Sequence, residues 1–205
     1  MKPLIALLLT LALTPLANAN QVLLHDEFVD GDLANFINAP PFMSPGTPLG
    51  PLSIGSNIVR GLFGTSGLTD QDLFTVEVPS GTRLSDIQLT YQPFGDVGTG
   101  SYFAVNDGPD LGIAFSTAAQ NLSDALVGES GSLLQAFIDG PWAQGLGISG
   151  PLESGTYTFA LNETSATVEF ELDLQLTPVP IPPAALLMLS GVVLLARYAP
   201  SRGRR

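Results

Sequence analysis

Two acidic clusters in this chain have residue types and spacing suited to holding a hard cation. Asp26, Glu27, Asp30 and Asp32 crowd the stretch DEFVDGD around Gly31, and Asp70 and Asp72 form a pair in LTDQD. Calcium takes about six to eight oxygen ligands, commonly from flexible loops, and a strongly acidic chain can supply them. Neither cluster has the D-x-[DN]-x-[DN]-G spacing of an EF-hand loop. Two readings therefore stand side by side. The acids hold calcium, with Asp70 and Asp72 the better ligands because a firm strand follows them, or they are solvated and simply keep turns polar. No other cofactor is implied.

Catalytic chemistry has less to work with. The single histidine, His25, would have to serve any Ser-His-Asp arrangement, and no Gly-x-Ser-x-Gly elbow accompanies it. Paired carboxylates for glycoside hydrolysis can be drawn from 19 acids in so many ways that composition lends them no support. The chain has no cysteine, which removes thiol catalysis, Cys-ligated zinc and iron–sulfur chemistry together. No catalytic residue is assigned and the expectation is a protein that is not an enzyme. Trp142, the only tryptophan, lies in DGPWAQG. It either stacks on a sugar ring as a ligand-binding platform or covers the end of a core.

Charge and targeting constrain where this chemistry would take place. Met1 to Ala19 reads MKPLIALLLTLALTPLANA, with one early cation, an apolar run from Leu4 to Leu13 and the small-x-small triplet Ala17-Asn18-Ala19. That is the layout of a secretory signal helix, cut by signal peptidase after Ala19. All 19 acids lie between Asp26 and Asp173, where Arg60 and Arg83 are the only cations. A body this acidic repels nucleic acid, which is excluded as a partner, and the repulsion keeps it dispersed. Without disulfides, its roughly 160 mature residues must be held by a core, by ions or by partners.

The elements that would position these residues are strands. In ATVEFELDLQL the apolar residues fall at 166, 168, 170, 172, 174 and 176, a period of two that argues for a half-buried strand. The acids on its other face oppose edge-to-edge pairing with another chain. LFTVEV, LSDIQLTY and GTYTFAL repeat the alternation, and SYFAV and LGIAF flank the turn signal NDGPD. NLSDALVGESGSLLQAFIDG holds either a short helical turn around Leu133 to Ile138 or more strand. Many short strands joined by Gly, Pro, Asp and Asn predict a mainly β fold, an antiparallel β-sandwich of jelly-roll-like kind. The divisions are residues 1–19 as signal peptide and 20–68 as a Pro/Gly-rich N-terminal arm with early strands. A sandwich core over 69–177 and a C-terminal segment over 178–205 follow.

That last segment reads PVPIPPAALLMLSGVVLLARYAPSRGRR. Its apolar run from Ile181 to Ala196 is 16 residues, short for a span, and the arginines beyond it mark the cytoplasmic side. The order of parts resembles the PEP-CTERM sorting signal of exopolysaccharide-producing Gram-negative bacteria: a proline motif, a transmembrane helix and a basic end. The motif stands as Val179-Pro180-Ile181-Pro182-Pro183, a VPxPP form in place of Pro-Glu-Pro. A helix over 183–196 follows, then Arg197, Arg202, Arg204 and Arg205. The resemblance implies an exosortase as partner, cutting at or near the motif. The precursor would be anchored in the inner membrane, and its body would pass to the cell surface or the exopolysaccharide matrix. A plain uncleaved anchor is the alternative. The body, through Asp70, Asp72, Phe74, Pro79, Gly81, Gly155 and Tyr157, resembles the pre-peptidase C-terminal type of β-sandwich, an accessory module without chemistry of its own. The function expected is that of a non-enzymatic surface or matrix protein. A secreted carbohydrate-binding protein or hydrolase with the same address is the alternative.

Overall fold

The structure, a computed structural model, describes residues 20–35, 44–64, 70–98, 100–111, 122–140, 143, 145–180 and 188. Among them the chain is mainly β, with two five-stranded sheets enclosing one apolar core in the manner of a β-sandwich. The first sheet runs β1 (Asn20–Asp26), β4 (Gly55–Phe63), β12 (Thr167–Pro178), β6 (Thr82–Phe94) and β10 (Gly131–Ser132). The second runs β3 (Thr47–Pro51), β5 (Gln71–Val78), β11 (Gly155–Asn162), β7 (Ser101–Asp107) and β9 (Ser123–Val127). A small ladder of β2 (Ser44–Pro45) and β8 (Asp110–Leu111) pairs with neither sheet and packs on the second, where Leu111 is buried with Leu73, Ala104 and Ala160. Two short helices complete the described elements, α1 (Glu27–Asp30) and α2 (Leu133–Asp139).

The period-two pattern of the last strand holds to the residue. Ala166, Val168, Phe170, Leu172, Leu174 and Leu176 are all buried, because alternate side chains of a strand face the same side. β12 lies inside its sheet, antiparallel to both β4 and β6. Its acids therefore guard no sheet edge, which corrects the role expected of them. Glu171 instead stands opposite Arg60 of β4.

Turns carry the chain between the sheets. β5 passes to β6 through Pro79–Gly81, where Gly81 takes a positive φ of 77° that glycine adopts without steric cost. β11 passes to β12 through Glu163–Ala166. Aromatic rings knit the two layers: Phe63 of β4 meets Phe103 of β7 and Phe170 of β12 edge-on, with both centroid distances 5.6 Å.

The pairing is not wholly antiparallel. β1 runs parallel to β4, and β3 runs parallel to β5. Both added strands come from the first third of the chain, where no adjacent hairpin turn imposes an antiparallel partner. The undecided stretch after Asn121 contains both alternatives, strands β9 and β10 and then helix α2. The Ser132 hydroxyl caps that helix by accepting from the Gln135 amide at 3.1 Å.

A buried hydrogen-bond chain clamps the β11–β12 turn. The Glu163 carboxylate accepts from the Thr164 and Ser165 amides at 2.7 and 2.8 Å and from the Ser165 and Ser101 hydroxyls at 2.7 and 2.8 Å. With Ser101 donating to Glu163, the Tyr91 hydroxyl donates to Ser101 at 2.7 Å. Burial pushes the Glu163 carboxyl up, but these four bonds outweigh it and hold it below its ordinary 4.5. A folded-state pKa below the unfolded one adds stability above pH 4.5 that is lost as pH falls through the folded value. Glu163→Gln is expected to cost about 1–3 kcal/mol at pH 7. Urea titrations at a series of pH values should show the gap to the native chain closing as pH falls below 4.5 and through the lowered folded-state value of the carboxyl.

Residues 1–19 and 181–205 lie outside the described residues, except Met188. With them fall Ala17 and Ala19, the helix expected over 183–196, Ile181, Pro182 and Pro183 of the motif, and the terminal arginines. No helix among the described residues is long and apolar enough to cross a membrane.

Candidate metal centre

The DEFVDGD cluster divides its acids between two tasks. Asp26 ends β1 directly opposite Arg60 of β4, and its Oδ2 accepts from Arg60 Nη2 at 2.8 Å and Nε at 3.1 Å. The hydrogen bonds from Arg60 hold the Asp26 carboxyl below its ordinary range. Asp26 also caps α1 by accepting from the Phe28 amide at 3.1 Å, while the Asp30 carboxylate accepts from the Asp26 amide at 2.9 Å. These two acids fix where the helix starts. His25 is buried beside them, its Nε2 donating to the Gly31 carbonyl at 3.0 Å. It has a structural partner and no serine beside it among the described contacts.

The helix so placed turns Glu27 back across β4. Its Oε2 accepts from the Leu62 amide at 2.8 Å and its Oε1 from the Leu33 amide at 3.2 Å. A side chain at Gly61 would collide with this carboxylate, so the glycine in mid-strand is what leaves it room. After Gly31 the chain crosses to the other sheet. Ala34 forms an antiparallel bridge with Leu73, and the Asn35 side chain accepts from the Gln71 amide at 3.0 Å. That crossing brings Asp32 to the start of β5.

Asp72 is already there. It shares the core-facing row of β5 with Phe74, Val76 and Val78, and its residue is 0 % exposed. One carboxylate oxygen from each of Glu27, Asp32 and Asp72 lies within 4.8 Å of the others. Glu27 is half-buried and Asp32 exposed, so the cluster runs from the inter-sheet space outward to solvent. Burial, then the neighbouring Glu27, Asp70 and Asp32, pushes Asp72 up to about 10. Burial likewise raises Glu27 to about 7 against the pull of its two backbone donors, with Asp32 and Asp70 adding to the rise. Asp70 is raised by burial and by Asp32. Like charges gathered in a low-dielectric site account for the whole pattern.

Of the two ligands expected from sequence, Asp72 is in the cluster, and Asp70 stands beside it as a further negative charge. Glu27 and Asp32 join Asp72 from the other acidic stretch, so the two clusters of the sequence contribute to one site. Glu27 and Asp32 were missed as its partners. The signal that could have drawn attention to the site is the strand parity, which sets Asp72 on the same row as three apolar residues. Trp142 lies outside the described residues. A second recess, about 310 Å³, opens on the outer face of the first sheet between Phe28, Arg60, Gln92, Glu169 and Glu171.

No family model, no curated protein and no solved structure matches this chain.

Proposed function

We propose that this is an exported, non-enzymatic protein of the cell surface or exopolysaccharide matrix, carrying a PEP-CTERM-like sorting signal that an exosortase cuts. The observation that carries the reading is where the body ends. β12, the central strand of its sheet, finishes at Pro178, and the Val179 amide makes a last bond to the Gly81 carbonyl at 2.9 Å. Val179 and Pro180 are exposed. A cut at or beyond this point removes no described strand and leaves the core intact, as release of a folded body requires. The body is a β-sandwich of the antiparallel, accessory-module kind, with two parallel strands added at its edges. Signal peptidase acts first, the inner membrane holds the precursor, and the matrix receives the product.

The intact mass of the protein isolated from its native cells tests this. The expected species begins at Asn20 and ends between Thr177 and Pro183. A species ending at Arg205 would make the last segment a permanent anchor, and the sorting reading would fall.

A second reading, carbohydrate binding, is favoured by the outer recess. Phe28 is 64 % exposed there, beside Arg60, Gln92, Glu169 and Glu171, a combination of aromatic face and hydrogen-bonding groups that suits a sugar ring. Retention of the same isolated protein on an exopolysaccharide column decides for this reading, and free passage decides for a purely structural role.

A further inference from the structure

We propose that Glu27, Asp32 and Asp72 form a binding site for one hard divalent cation, calcium, which ties the N-terminal segment of the chain to the second sheet. Proximity of acids would not establish this by itself. The deciding observation is that both Asp72 carboxylate oxygens are buried and no hydrogen bond satisfies either; the side chain beside them is the Glu27 carboxylate, which when ionised can only accept. Buried carboxylates are ordinarily bonded or paired, because an unpaired one loses its hydration with nothing in return.

No cationic side chain of the described residues stands at this carboxyl. Arg60 is bound to Asp26 at 2.8 Å, and Arg83 stands opposite Thr177, towards the far end of β12. The donors around the site are oxygens, with no nitrogen or sulfur ligand in the group, which selects a hard ion over zinc or copper. Two ligands on opposite sides of a calcium ion, each at about 2.4 Å, stand about 4.8 Å apart. The three oxygens fall within that span. Exposed Asp32 leaves one side open to water, which completes a calcium shell readily and suits its irregular geometry. Glu27 keeps its two backbone bonds, since each carboxylate oxygen has lone pairs to spare.

The three ligands come from three separate places: α1, the crossing after Gly31, and the start of β5. A cation here closes the first sheet's edge onto the second sheet, and it binds the folded chain only. It therefore stabilises by mass action. The site stands on this geometry and does not depend on where the protein is sorted.

The test uses the full-length chain, stripped with EGTA, followed by thermal unfolding and calorimetric titration with calcium chloride. One equivalent is expected to bind. Calcium at about one hundred times its dissociation constant is expected to raise the unfolding midpoint by about 5–10 °C. Asp32→Asn, at an exposed position that folding tolerates, should weaken binding about tenfold or more. Asp72→Asn should abolish the calcium-dependent shift and, in EGTA, unfold at or above the midpoint of the native chain, because the amide carries no charge into the buried site. If Asp72→Asn fails to fold, Gly61→Ala serves instead, since it displaces Glu27 and should also remove the shift. The double change Glu169→Gln with Glu171→Gln lowers the overall negative charge on the outer face of the first sheet and should leave the shift intact. A native chain indifferent to calcium overturns the proposal. So does a shift that survives Asp32→Asn and Asp72→Asn, or one that the outer-face double change removes equally.

Discussion

Phe63→Ala is expected to cost about 3–5 kcal/mol, the largest loss of any single truncation considered for this chain. Phe63 is 0 % exposed in the middle of the core. Its ring stands edge-on to Phe103 across the sandwich at an interplanar angle of 79° and to Phe170 on the neighbouring strand at 65°. Edge-to-face pairs of this kind add to the transfer term, about 0.5–1.5 kcal/mol each. Truncation removes both pairs and leaves a cavity between two sheets that are each held by their own ladders. Neither sheet can collapse into the gap without breaking strand pairing, so little of the loss is recovered. Urea denaturation should show the midpoint falling with an unchanged slope, and the thermal midpoint should drop by about 10 °C. Phe63→Leu keeps most of the volume and should cost about half as much. A loss under about 1 kcal/mol for the alanine variant would mean the two layers do not meet at this ring.

Asn57→Ala is expected to cost about 2–4 kcal/mol, although it deletes less volume. Asn57 is 0 % exposed near the start of β4. Its Oδ1 accepts from the Ser53 amide at 2.8 Å. Its Nδ2 donates to the carbonyls of Ser53 at 2.8 Å, Leu174 at 3.0 Å and Gly55 at 3.2 Å. Two N–H groups serve three acceptors, so one bond is shared. This one side chain fastens the passage from β3 to β4, where the chain crosses from the second sheet to the first. Alanine unclasps the Ser53 turn, whose amide and carbonyl can turn to water, and deprives the buried Leu174 carbonyl of this donor. Leaving a buried acceptor unsatisfied costs more than the net worth of the bond itself. Chemical denaturation of the alanine variant measures the loss. Amide exchange at Ser53 locates it, with faster exchange there than in β12 expected. Asn57→Asp is expected to be no better, because a carboxylate would face three carbonyl oxygens.

The strands that carry these residues were legible in the sequence to different degrees. β12 and the first part of β6 are half-buried strands with one apolar row, and period-two alternation identifies them directly; β5 and β11 show the same alternation although both of their faces are largely buried. Nothing in an alternation names the partner strand. The acids of β12 looked like protection for an edge, yet two neighbours cover that strand, and Glu171 has Arg60 across from it. The parallel additions of β1 and β3 were not visible, because their pairing depends on where a long connection returns and not on any local turn. Helix α2 was one of two alternatives, since a seven-residue segment offers less than two full helical periods to count.

The acidic site divides the same way. By itself the sequence determined the chemistry available: hard oxygen donors, no thiols, a lone histidine, and an Asp at position 72 on a row whose other members are apolar. Charge and alternation are local properties, and a sequence states them in full. Tertiary structure decided which carboxylates meet. Asp26 went to Arg60, Asp30 to a helix start, and Glu27 and Asp32 to Asp72, through a parallel β1–β4 pair and a bridge from Ala34 to Leu73. Apart from the local Asp30 bond, those contacts join residues 34 to 45 positions apart. Burial in the inter-sheet space then raised the pKa of ordinary acids, because desolvation acts on a carboxylate only once the rest of the fold has closed around it.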